Sequence, residues 1–141
     1  MVSSWSGEKS EIVAHRVRRI QIDNSNKIEK YSSWVVNSEN TLEKSPLNFA
    51  TGVGGVLYPP NSLHSNVISK DIFQEKCSGA DDIWLYWMAR LHGSQVKRTG
   101  SEIDLLNWPR SQKEPLGDEN VNQCSNDIKI KKMLDQYGSP F

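Results

Sequence analysis

Residues 80–92, which read Ala-Asp-Asp-Ile-Trp-Leu-Tyr-Trp-Met-Ala-Arg-Leu-His, constrain this chain more than any other stretch. Ile83, Trp87 and Leu91 recur every fourth position, and Trp84 and Met88 widen the same stripe. That spacing predicts a helix over residues 82–92 with a broad buried face. Gly93 follows as its C-terminal cap. Two carboxylates, Asp81 and Asp82, stand at its mouth. Acids are rarely placed at the start of a buried helix without a partner or a task. Asp81 reads either as an N-cap favoured by the helix dipole or as a ligand-binding group. One cap satisfies a helix, so Asp82 needs another explanation. Two close acids raise each other's tendency to hold a proton, which suits a general base working near neutral pH.

Upstream lies Asn48-Phe49-Ala50-Thr51-Gly52-Val53-Gly54-Gly55-Val56-Leu57-Tyr58-Pro59-Pro60. Residues 49–58 predict a strand that the prolines end. Glycine weakens a strand unless it marks a bulge or something approaches the backbone closely. The glycines match neither a dinucleotide fingerprint nor a P-loop: position 57 is leucine and no Gly-Lys-Ser/Thr follows.

Residues 11–22 predict a strand rich in β-branched residues. Along it Arg16 and Arg18 share one face, and His15 and Arg19 the other. Arg16 and Arg18 could present two guanidinium groups to a phosphate, or the cluster could guard a solvated sheet edge. Asp23-Asn24-Ser25-Asn26 is a turn, residues 28–36 hold a short strand or irregular segment, and residues 37–48 form a loop. A short helix or turn is expected over 71–76, a strand over 94–98 and mostly loop over 99–125. A final helix is expected over 127–137, with Ile128, Met133, Leu134 and Tyr137 inside and lysines outside, ended by Gly138-Ser139-Pro140.

The 141 residues suffice for one domain, residues 1–141. With 17 basic against 17 acidic side chains, no global field favours nucleic acid or membrane, and no nucleic-acid partner is expected. No apolar run reaches the roughly 20 residues of a bilayer span, and the start of the chain does not read as a signal peptide. Cys77 and Cys124 read as free thiols, which points to a reducing, cytoplasmic compartment. No metal-ligand spacing and no Asp-x-Asp triplet occurs. Trp84, Trp87 and Trp108 fall in or near the proposed site, either to stack on sugar rings or to fill the core.

The glycine stretch from Phe49 to Pro60, followed by Ala80-Asp81-Asp82-Ile83-Trp84-Leu85, resembles the C-terminal half of bacterial GT-A-type glycosyltransferases of capsule and lipopolysaccharide synthesis. The resemblance runs from about residue 12 to 137. It implies an α/β fold, a partial GT-A-like mixed sheet with flanking helices. It implies transfer of a sugar from a nucleotide-sugar donor to a saccharide acceptor hydroxyl. By resemblance, Asp82 is the catalytic base. Asp81 binds the acceptor or supports Asp82. The backbone at Gly54 and Gly55 lies against the transferred sugar, Trp84 walls the acceptor site, and Arg16 and Arg18 contribute to substrate binding. The resemblance also implies that the nucleotide-binding half with its Asp-x-Asp metal site is missing. A nucleotide-sugar with manganese or magnesium is then expected only for a complete enzyme, and no cofactor for this chain alone. The chain reads as a truncated or split enzyme, inactive by itself. A half-domain should expose apolar sheet surface and self-associate. The pathway would also bring it to a membrane surface. A non-catalytic saccharide- or protein-binding module is the alternative, and a degenerate gene product a third.

Overall fold

The computed structural model describes residues 4–7, 10–101 and 124–141. It is an α/β fold built on a mixed four-stranded sheet. Strand β1 (Glu11–Arg19) is its spine. Along one side it pairs antiparallel with β3 (Asn48–Leu57). Along the other it pairs antiparallel with the two-residue β2 (Val35–Val36) at one end and parallel with β4 (Gln95–Arg98) at the other. Helices α1 (Lys70–Cys77), α2 (Asp81–His92) and α3 (Cys124–Tyr137) flank the sheet. No helix among the described residues is long and apolar enough to cross a membrane.

Helix α2 carries the main core. Ile83, Trp84, Tyr86, Trp87, Met88 and Ala89 are all buried, and Gly93 closes the helix in the left-handed conformation at φ 86°. A file of rings runs from the loop after β1 to this helix. Tyr31 meets Trp34 at 4.8 Å, Trp34 meets Phe49 at 5.2 Å, Phe49 meets Tyr86 at 5.3 Å and Tyr86 meets Trp87 at 5.3 Å. Tilted and edge-on pairs of this kind add about 0.5–1.5 kcal/mol each to the burial itself. Trp34, Trp84 and Trp87 are thus core residues. Trp108 lies outside the described residues.

Two apolar expectations shift. Leu91 is 40% exposed. Steps of four residues overshoot a full turn by about 40°, and after the two steps from Ile83 to Leu91 the stripe has rotated by about 80° towards solvent. In α3 the buried residues are Ile130 and Met133, with Leu134 and Tyr137 packed beside them, whereas Ile128 is 54% exposed. Residues 130, 133, 134 and 137 form one helical face, and Ile128 points away from it. This helix also begins at Cys124, three positions before the expected start. Of the loop expected over 99–125, residues 102–123 lie outside the described residues.

Asn48 joins the loop before β3 to the sheet. Its amide group donates to the Glu43 and Val96 carbonyls at 2.8 Å each and accepts from Arg19 Nη1 at 2.9 Å. A buried amide satisfied on this many sides fixes the register of three strands. Val35 and Val36 on the edge strand are 49% and 39% exposed. Cys77 is a free, buried thiol.

Candidate functional site

The pairing of β1 with β3 breaks at one place. Ala14 faces Val56 and Arg16 faces Thr51, so Gly52, Val53, Gly54 and Gly55 together stand opposite His15. This is a bulge of the larger, special kind, with four residues against one. It requires left-handed backbone at Gly54 (φ 80°) and Gly55 (φ 96°), which accounts for glycine at both positions. Gly52 has no such requirement; it is where the backbone meets a side chain.

That side chain belongs to Asp82. The Gly52 amide donates to Asp82 Oδ1 at 3.0 Å. The glycine strand and the acidic helix start, 30 residues apart in the chain, therefore meet. A methyl group on Gly52 would touch the same carboxylate oxygen at 3.5 Å.

The helix places Asp82 without help from a side-chain cap. Ala80, not Asp81, is the N-cap, with no side-chain cap bond. Both acids therefore sit in the first turn, where the helix dipole favours negative charge. Asp81 is exposed, and Asp82 is turned inwards against Tyr58, Leu85, Tyr86 and Ala89. Burial pushes the Asp82 carboxyl up to about 6, and the neighbouring Asp81 charge adds to the rise. The Gly52 amide and the Arg16 guanidinium oppose it. The balance leaves a carboxyl able to exchange a proton close to neutral pH.

Two tyrosines complete the surroundings. Tyr58 holds its proton well above the usual phenol range because it is desolvated and because Asp82 and Asp81 are nearby. Tyr31 is likewise raised by burial, with Arg18 and Arg16 pulling it down and Asp82 pushing it up. The sheet thus brings Arg16, Arg18, Tyr31 and Asp82 within electrostatic reach of one another. Arg18 is engaged in structure: its guanidinium lies 4.7 Å above the Tyr31 ring and donates to the Trp34 carbonyl at 3.4 Å. From the opposite side of the pattern, His15 Nδ1 pairs with the Thr99 hydroxyl at 2.9 Å, and Arg19 is held by Asn48.

Trp84 sits deeper than the sequence suggests. It is 3% exposed, packs against Phe73 and Tyr137, and donates its indole N–H to the Val67 carbonyl at 3.1 Å. Its remaining edge still lines an open groove of about 400 Å³ with Val67, Ile68, Phe73, Asp81 and Leu85. Asp81 therefore borders this groove while Asp82 faces the bulge. Tyr31 and Tyr58 carry no motif of their own. The only signal for Tyr58 is its place at the end of the glycine strand, just before Pro59-Pro60. No group of three or more metal-ligating side chains occurs among the described residues.

Comparison with family models, with curated proteins and with solved structures finds no match.

Proposed function

We propose that this chain supplies the acceptor side of a sugar-transfer site, with Asp82 as the general base. One observation carries the reading: a half-buried carboxyl, raised to about 6, is held by a backbone amide at the glycine bulge of β3. In the proposed reaction an acceptor hydroxyl attacks the anomeric carbon of a nucleotide-sugar. Its proton passes to Asp82, and the bond from that carbon to the diphosphate oxygen breaks. Asp81 orients the acceptor from the adjoining groove. The backbone at Gly54 and Gly55 lies against the transferred sugar, and Arg16 holds negative charge near Asp82. The donor's diphosphate and any divalent ion are assigned to residues beyond these 141, since no Asp-x-Asp triplet is present.

The test is transfer to saccharide acceptors from UDP- and GDP-sugars with manganese, with a donor half supplied in trans. Asp82→Asn should lower the rate about 10²–10⁴-fold, the usual worth of a general base, with its circular dichroism unchanged. Full activity in that variant removes Asp82 from the chemistry.

A second reading rests on the groove beside Asp81. Phe73, Ile68 and the edge of Trp84 offer an apolar wall next to a carboxylate, the combination a saccharide-binding module uses. Saccharide binding that survives Asp82→Asn, without transfer under any donor, favours this module.

A further inference from the structure

A second recess lies where the end of α1 meets the start of α3. Its volume is about 420 Å³, and Gln74, Lys76, Ser78, Ser125, Lys129 and Lys132 line it together with Glu75 and Ile128. The three lysines come from two helices far apart in sequence. Among the described residues Glu75 is the one acid in the lining, and it is already paired with Lys76 at 2.8 Å. Lys132 spends one donor on the Glu75 backbone carbonyl at 3.3 Å, and an ammonium has three. The lining therefore presents surplus positive charge and hydroxyl and amide groups able to donate.

Two neighbouring groups register the same field. The Glu75 carboxyl is held down by Lys76 and further by Lys132. Between Lys76 and Ser78 in the chain, burial lifts the Cys77 thiol to about 11 while Lys129 and Lys132 both work against the rise. In a chain with 17 basic and 17 acidic residues, this is a local concentration of charge rather than a general one. Lysines act on phosphate as point charges, and hydroxyl and amide donors add direction.

We propose that the recess between α1 and α3 binds a phosphate-bearing group, a diphosphate or phosphate ester, through Lys76, Lys129 and Lys132. It is a different place from the Asp82 bulge, and it stands or falls independently of sugar transfer. The group arrives either free in solution or on a lipid, and the exposed Ile128 at the wall is compatible with both.

The experiment is titration of inorganic pyrophosphate into the ¹⁵N-labelled full chain, with sodium chloride at matched ionic strength as the reference. A parallel arm measures co-sedimentation with phosphatidate vesicles against phosphatidylcholine vesicles. The expected result is saturable shifts at the amides of Gln74, Lys76, Ser78 and Ser125. Lys129→Gln with Lys132→Gln should weaken binding at least about tenfold, since charge-assisted bonds are lost, and the paired arginine variants should retain it. Vesicle binding that needs both lysines, without pyrophosphate shifts, supports the site and identifies the source as lipid. The proposal is overturned by binding in neither arm, or by binding that the double glutamine variant leaves intact.

Discussion

The Gly52 amide and the Asp82 carboxylate meet at 3.0 Å and tie the bulge of β3 to the first turn of α2. Everything proposed for the site follows from this contact. It fixes where the carboxylate points, and it sets a stabilising bond against the burial that would otherwise lift its proton affinity further.

The neighbours of Asp82 should move its titration in opposite directions. Asp81→Asn removes a like charge and should lower the Asp82 midpoint. Arg16→Gln removes an attractive charge and should raise it. Carboxyl ¹³C shifts followed from pH 3 to 9 read both effects. Movement of the two variants in the same direction would contradict the arrangement.

Asp82→Asn should stabilise the protein at neutral pH. A carboxyl whose folded value lies above its unfolded one binds more protons in the native state between about pH 4 and 6, so its contribution to stability is present below that window and is lost as pH rises through it. The amide avoids that loss and can still accept from Gly52. With the side chain partly solvated, the gain is on the order of 1 kcal/mol at pH 7–8, and it should vanish near pH 4. Urea unfolding of both proteins at pH 4 and pH 8 measures the difference. A site kept at some cost to stability is what a functional carboxyl predicts.

The glycines of the bulge should separate into two kinds. Ala at Gly54 or Gly55 forces a left-handed conformation on a side-chain-bearing residue and should cost about 1–2 kcal/mol. Ala at Gly52 makes an ordinary contact with Asp82 and should cost less than about 1 kcal/mol. Its effect should appear instead as a further rise in the Asp82 midpoint, because the methyl displaces solvent. Equal costs at all three positions in denaturant melts would count against the bulge geometry.

Trp84 should behave as a core residue. Trp84→Ala removes a ring packed on Phe73 and Tyr137 and leaves the Val67 carbonyl without its indole donor, a loss of about 3–5 kcal/mol. Thermal unfolding reads this directly. A variant with unchanged stability would return Trp84 to the role of an exposed wall.

Much of this framework was legible because local chemistry and the fold agree. The four-residue spacing in α2 and the glycine behind it marked a helix that the core then used. The prolines at 59 and 60 marked the end of β3. Other features depend on long-range pairing. The glycines admitted a bulge, but its place and size are set only when β1 fixes the register opposite it. Asp81 looked like a cap, but Ala80 takes that position once Gly79, at φ 73°, turns the chain. Ile130 was hidden among Lys129, Lys131 and Lys132, and Ile128 looked like its substitute. The meeting of Asp82 with the glycine strand was expected only as a shared neighbourhood. Tyr58 reaches the site from the end of β3 and Tyr31 from the loop after β1, and no periodicity in the sequence announces them.

The proton affinity of Asp82 is the most direct test of the central claim. Site-resolved carboxyl titration of the folded chain should give a midpoint of about 6. A midpoint near 4, the ordinary aspartate value, would mean that the carboxyl is solvated and free of the bulge, and it would remove the basis for its role as a base.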